Sequence, residues 1–175
     1  SQARDFYFSN LPSEALAAQW ITDKMLYNYS YIELIRSIFP ESRIIAMQRQ
    51  PLDMFLSMLK CNFSEGNLWT YSLDSMLDIY DSYQKLISIA SQQRPQNLAI
   101  LSYEKLVQEP ETTIRQLTTF LGIPWSVEFL RHQRQHKNIR TASDLRARQA
   151  IDRQSMQTWK QHAAALDPIR SKLLA

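Results

Sequence analysis

Two short apolar runs, 43–48 (RIIAMQ) and Leu98–Ser102 (LAILS), stand between segments of helical periodicity and limit what this chain can fold into. Aliphatic runs of that length predict strands buried on both faces, and the helices flanking them predict parallel pairing. The order helix–strand–helix–helix–strand–helix therefore predicts an α/β sheet domain. Composition permits it: 45% hydrophobic and 21% charged residues exclude a disordered chain, and 175 residues suit one domain. Two strands make a poor sheet, however, because doubly buried strands belong to larger parallel sheets. The pattern predicts a sheet from which something is missing.

Helical signals fill the remainder. The first residues read as a loop, with Ser13 as N-cap of a short helix over 14–20. Tyr31, Leu34, Ile35, Ile38 and Phe39 mark one face of a helix that Pro40 ends. Pro51 opens a helix reaching about Lys60, and a polar loop containing Gly66 follows. A long helix over 72–91 carries Leu73, Met76, Leu77, Tyr80, Tyr83 and Ile87 on a broad apolar face. Glu109-Pro110-Glu111 starts another, with its acids at the positive end of the helix dipole and Ile114, Leu117 and Leu121 facing the core. Gly122 is its left-handed C-cap, before Pro124.

Several classes are excluded. Only two glycines, Gly66 and Gly122, are present, and neither lies in a glycine-rich cluster. No complete Walker or Rossmann phosphate loop can be built from this chain. A formal charge of +3 excludes a histone-like polycation. The single Cys61 excludes an intramolecular disulfide framework and fits a reducing compartment. No apolar run approaches the roughly 18 residues of a membrane span, and SQARDFYFSN lacks signal-peptide design. A cytoplasmic location is the expectation.

Two places can carry chemistry. Arg49 leaves the C-terminal end of the first strand just before the helix at Pro51, where ligands collect in open α/β sheets. Its guanidinium offers a fork of donors to a phosphate, and Ser57 on the second helical turn could add a hydroxyl. A surface arginine and a plain helix serine would give the same pattern. Tyr103 sits just beyond the second strand, where its ring could stack on a base or simply pack on the sheet edge. Residues 131–153 form a stretch of net charge +5, which suits an arm over an anionic nucleotide, a solvated charged helix, or nucleic-acid binding. No stacking motif supports nucleic acid as a partner. His132 and His136 have helical metal-ligand spacing but no third ligand, so no metal is expected. Trp69, Trp125 and Trp159 read as packing or loop anchors, and Met54 and Met58 as helix-face core residues.

Taken in order, SRIIAMQRQPLDMFLSMLK and LAILSYEKLVQEPETTIRQLTTFLGIPW resemble the sulfotransferase superfamily. Within it the likeness is to bacterial-type enzymes fused to tetratricopeptide repeats and to tyrosylprotein sulfotransferases. It extends upstream to Thr22-Asp23-Lys24-Met25-Leu26-Tyr27-Asn28 and downstream to Arg140-Thr141-Ala142-Ser143 and Ser155…Trp159-Lys160, covering roughly 20–162. Five motifs in register make the likeness specific.

The resemblance implies an α/β, P-loop-NTPase-like parallel sheet flanked by helices, here lacking the N-terminal strand and phosphate loop. The whole chain would then be a single partial sulfotransferase domain, with 131–162 a basic segment covering the cofactor. It implies transfer of a sulfuryl group from 3′-phosphoadenosine 5′-phosphosulfate (PAPS) to a hydroxyl or amine acceptor, leaving adenosine 3′,5′-bisphosphate. Arg49 and Ser57 match the motif that holds the 3′-phosphate, and Tyr103 a nucleotide-contacting tyrosine. Ser143 matches a serine in the loop closing over the cofactor. Lys24 falls at the lysine near the transferring group in the tyrosylprotein enzymes, where cationic stabilisation is needed.

The departures from the pattern are Gln50, where the family usually has Asp, and Cys61, where the tyrosylprotein enzymes have Arg. Arg146-Ala147-Arg148-Gln149 replaces a Gln-Val-Arg or Gln-Val-Ile-Lys loop; Arg148 is assigned to the cofactor, with Arg146 and Gln149 as alternatives. Nothing in 1–28 resembles the loop that cradles the 5′-phosphosulfate. A non-catalytic fragment or interaction module is therefore the alternative reading. Either an oligomer or an upstream segment is expected to complete the sheet.

Overall fold

The computed structural model describes residues 1–61, 63, 66–134 and 155–173, with 132–134 as backbone only. Its α-helices are α1 (Gln2–Ser9), α2 (Ser13–Leu16), α3 (Ile32–Ile38), α4 (Pro51–Lys60), α5 (Leu73–Gln93), α6 (Tyr103–Gln108), α7 (Pro110–Leu121) and α8 (Ala163–Leu173). Strands β1 (Ile44–Gln48) and β2 (Leu98–Ser102) pair in parallel as a small two-stranded sheet flanked by helices. The α/β class and the parallel pairing match the sequence expectation. Among the described residues no helix is long and apolar enough to cross a membrane.

The chain forms two compact units, 1–46 with 82–99, and 47–81 with 100–175. In the first, Ile32, Ala46, Ile87, Ala90 and Leu98 are buried together, with Tyr29, Ile44 and Tyr83 packed against them. The α3 face differs from expectation. Tyr31 and Leu34 are exposed, whereas Ile32 and Arg36, one turn apart, are the buried pair. A positive charge disguised that face. The guanidinium of Arg36 donates to the Ala90 carbonyl at 3.0 Å and the Arg94 carbonyl at 3.2 Å, beside the C-terminus of α5, and to Glu33 at 2.7 Å. Carbonyls at the end of α5, of which that of Ala90 also accepts the Arg94 amide at 3.3 Å, give the buried Nη atoms their oxygen partners.

In the second unit, Leu52, Phe55, Leu56, Met76, Leu166 and Ile169 form the core. Met54, Met58, Trp69 and Trp159 pack against it, as packing residues should. The predicted stripe of α5 is used along its whole length: Met76 and Leu77 join this core, and Tyr83 and Ile87 the core of the first unit. On α7 the fully buried residues are Thr113 and Thr118, while Ile114, Leu117 and Leu121 are half-buried. The threonines tolerate burial because their hydroxyls donate to the carbonyls of Lys105 and Arg115, at 3.2 and 2.9 Å.

Three element expectations are corrected. The opening residues form α1 instead of a loop, with Ser1 rather than an apolar stripe defining it: its hydroxyl caps the Arg4 amide. Helix α2 ends at Leu16 instead of residue 20, and Ser13 is its first residue, not its cap. The loop after Lys60 contains a 3₁₀ turn, Leu68–Tyr71.

Candidate functional site

Parallel strands end on the same side of a sheet, so the residues just beyond β1 and β2 become neighbours. Those residues are Arg49 and Tyr103. The Arg49 guanidinium lies over the Tyr103 ring, 4.8 Å from its centroid, a cation–π contact. Spacing alone had placed each beyond its own strand; the structure brings them together.

The start of α4 is fixed from several directions. The Gln50 side-chain oxygen accepts from the Asp53 amide at 2.7 Å, so Gln50 caps the helix although it is not one of the preferred cap residues. Its own amide donates to Glu104 Oε1 at 2.8 Å, and Ser102 Oγ donates to Glu104 Oε2 at 3.1 Å. Glu104 thus ties the turn after β1 to the turn after β2. Ser57 stands half-buried on the second turn of α4, as expected.

The C-terminal side of the site comes from residues 155–162. Arg49 Nη2 donates to the Ser155 carbonyl at 2.6 Å. Asp53, 2% exposed, accepts from the Gln157 amide at 2.6 Å, the Thr158 hydroxyl at 2.9 Å and the Trp159 amide at 3.0 Å. These bonds hold the entry to the 3₁₀ turn Thr158–His162, with Gln157 in the left-handed region at φ 57°. A carboxylate can be buried only when its lone pairs are satisfied, and this one has three donors.

Asp53, Glu104 and Ser155 carry this geometry, and sequence reasoning gave none of them a role. Asp53 had left a signal: an acid in the otherwise apolar first turns of PLDMFLSM must find donors once the helix is buried. Ser155 acts through its backbone, which no side-chain pattern reveals.

Lys24 lies in the first unit and is exposed. Its neighbour Asp23 accepts from the Tyr7 hydroxyl at 3.1 Å and from Asn28 Nδ2 at 3.2 Å, which fixes the backbone next to the lysine. Ser143 and Arg148 lie outside the described residues.

A phosphate needs unspent donors in such a setting. Arg49 Nε is buried without a hydrogen-bond partner among the described residues, although Nη2 is engaged. A cation with one sheltered, unsatisfied N–H suits an anionic oxygen. Chemically, this site can grip an anion and present an aromatic ring beside it.

The chain has recognisable relatives among known proteins. A model of the sulfotransferase family matches residues 1–127, beginning upstream of the stretch that carried the resemblance. An uncharacterized protein of Aquifex aeolicus is 28% identical over 152 residues, 85% of this chain and 20% of that protein. A putative protein-tyrosine sulfotransferase of Caenorhabditis elegans is 26% identical over 113 residues, 65% of this chain and 44% of that one. The chain thus spans less than half the length of either relative. Among solved structures, the sulfotransferase domain from the curacin biosynthetic pathway superposes with a TM-score of 0.62 at 21% identity, over 85% of this chain and 54% of that one, a likeness of fold. With a family model matched over most of its length, and a likeness of fold to agree with it, the chain belongs to the sulfotransferase family.

Proposed function

We propose that the protein transfers a sulfuryl group from PAPS to a hydroxyl or amine acceptor, on a P-loop-NTPase-like sheet. PAPS would supply the sulfuryl group, which passes to the acceptor oxygen or nitrogen as the acceptor proton is lost and adenosine 3′,5′-bisphosphate is left. Arg49 and Ser57 bind the 3′-phosphate, and Tyr103 offers the ring face away from Arg49 to the nucleotide. Ser143 and Arg148, within the basic segment 131–162, cover it. Lys24 offsets negative charge near the transferring group. The cytoplasm is the compartment of this reading, on the strength of the single Cys61.

The observation that carries the proposal is the buried, unpartnered Nε of Arg49 at the strand end of a sulfotransferase-family chain. Titration calorimetry with adenosine 3′,5′-bisphosphate on the full-length protein tests it. Binding is expected, weakened at least about tenfold by Arg49→Ala, the size of one charged hydrogen bond. Absence of binding, or binding indifferent to Arg49→Ala, refutes the proposal. A second reading, a non-catalytic interaction module, is favoured by the lack of any glycine-rich loop in these 175 residues. Sulfuryl transfer by this chain alone would eliminate it.

A further inference from the structure

Asp53 is the one fully buried acidic side chain among the described residues, and its bonds do not end on its own helix. Oδ2 takes the Gln157 amide; Oδ1 takes the Thr158 hydroxyl and the Trp159 amide. Two residues before Gln157, the Ser155 carbonyl returns to accept from Arg49 Nη2 at 2.6 Å. Arg49 and Asp53 stand four residues apart, on either side of the strand-to-helix turn that Gln50 caps. A short circuit results: Asp53 holds 157–159, that segment holds the Ser155 carbonyl, and the carbonyl holds one arm of the Arg49 guanidinium. The Tyr103 ring supports the same guanidinium on one face, and Nε is buried with no hydrogen-bond partner among the described residues.

We propose that Asp53 is a positioning residue for nucleotide recognition: through residues 155–159 it orients Arg49 so that the spare Nε–H meets the 3′-phosphate. The proposal rests on the nucleotide reading of Arg49 and deepens it. A long, flexible arginine contributes selectivity only if its fork is aimed beforehand, because aiming it on binding costs rotamer freedom. Two of the three groups Asp53 grips are backbone amides, so the circuit can be changed from the Asp53 end more readily than from the loop.

The readout is discrimination, not affinity alone. Adenosine 5′-monophosphate lacks the 3′-phosphate, so the ratio of its dissociation constant to that of adenosine 3′,5′-bisphosphate isolates what Arg49 contributes. On the full-length protein, Asp53→Asn is expected to lower this ratio about tenfold while changing affinity for the monophosphate less than about twofold. In Asn the Nδ2 donor must face one of the amides that Asp53 accepted. Thr158→Val removes one donor at nearly constant volume and is expected to lower the ratio less, keeping the proposal testable should Asp53→Asn fold poorly. The double variant Arg49→Ala/Asp53→Asn should discriminate no worse than Arg49→Ala. Without nucleotide, hydrogen exchange at the Gln157 and Trp159 amides should accelerate in Asp53→Asn.

Equal loss for both nucleotides would reduce Asp53 to a structural residue and overturn the proposal. So would an intact ratio in Asp53→Asn when Arg49→Ala abolishes it, or unchanged amide exchange. A wild-type ratio near one, indifferent to Arg49→Ala, would instead sink the nucleotide reading, and the positioning role with it.

Discussion

At the scale of single residues, Tyr7 links the first unit's stability to pH. Burial raises its ionisation above the usual tyrosine value of 10.0, and the hydrogen bond and negative charge of Asp23 add to the rise. A proton held more tightly in the folded state means stability that is complete below the unfolded tyrosine's pKa and is lost as pH climbs through the folded one. Tyr7→Phe should therefore lose less stability than the parent protein between about pH 8 and pH 11, measured by denaturant titration. The effect is small because the phenol is partly solvated. Arg36 makes the complementary point about reading charge from sequence. It sits on a helix as a charged residue, yet it is 1% exposed because α5 ends beside it. Arg49, by contrast, was marked by its place after a strand, although the Tyr103 ring beneath it and the Ser155 carbonyl before it could not be read from spacing.

At the scale of elements, legibility followed how local the cause was. Helix α4 was readable because Pro51 opens it, and β2 because four apolar residues, Leu98 to Leu101, stand between turns; both have their expected bounds. Helix α6 was missed: six residues are too few for periodicity, and its cap, Ser102 accepting the Lys105 amide at 3.2 Å, also ends the strand. Helix α1 was missed because none of its residues is buried. The C-cap of α7 was fully legible. Gly122 adopts φ 70° and donates to the Thr118 and Thr119 carbonyls, and an added Cβ would meet nothing within 4 Å. Gly122→Ala should then cost only the conformational penalty, about 1 kcal/mol in chemical denaturation, with no loss beyond it. Gln50 is instructive as well: a departure from the family's usual residue keeps the capping function through its side-chain oxygen.

At the scale of the whole molecule, the core of the second unit joins α4 to α8 across more than a hundred residues of chain. Leu166 and Ile169 are wholly enclosed with Phe55, Leu56 and Met76. Leu166→Ala should destabilise the protein by about 2–5 kcal/mol in equilibrium unfolding, since the cavity cannot collapse among side chains this well covered. What sequence reading could not supply at this scale was the pairing itself: periodicity shows that a helix has an apolar face, not which distant face meets it. The bonds between Asp53 and residues 157–159 share that separation, 104 to 106 positions. This has a consequence for the chain's birth. At the usual elongation rate of 5–20 residues per second, about 5–20 s pass between the synthesis of Asp53 and that of its donors. Throughout that interval α4 has its carboxylate unpaired and Phe55 without Leu166 and Ile169. The Asp53 corner of the molecule therefore cannot mature before residues 157–159 emerge, and until then the nascent chain is open to chaperones and proteases at α4.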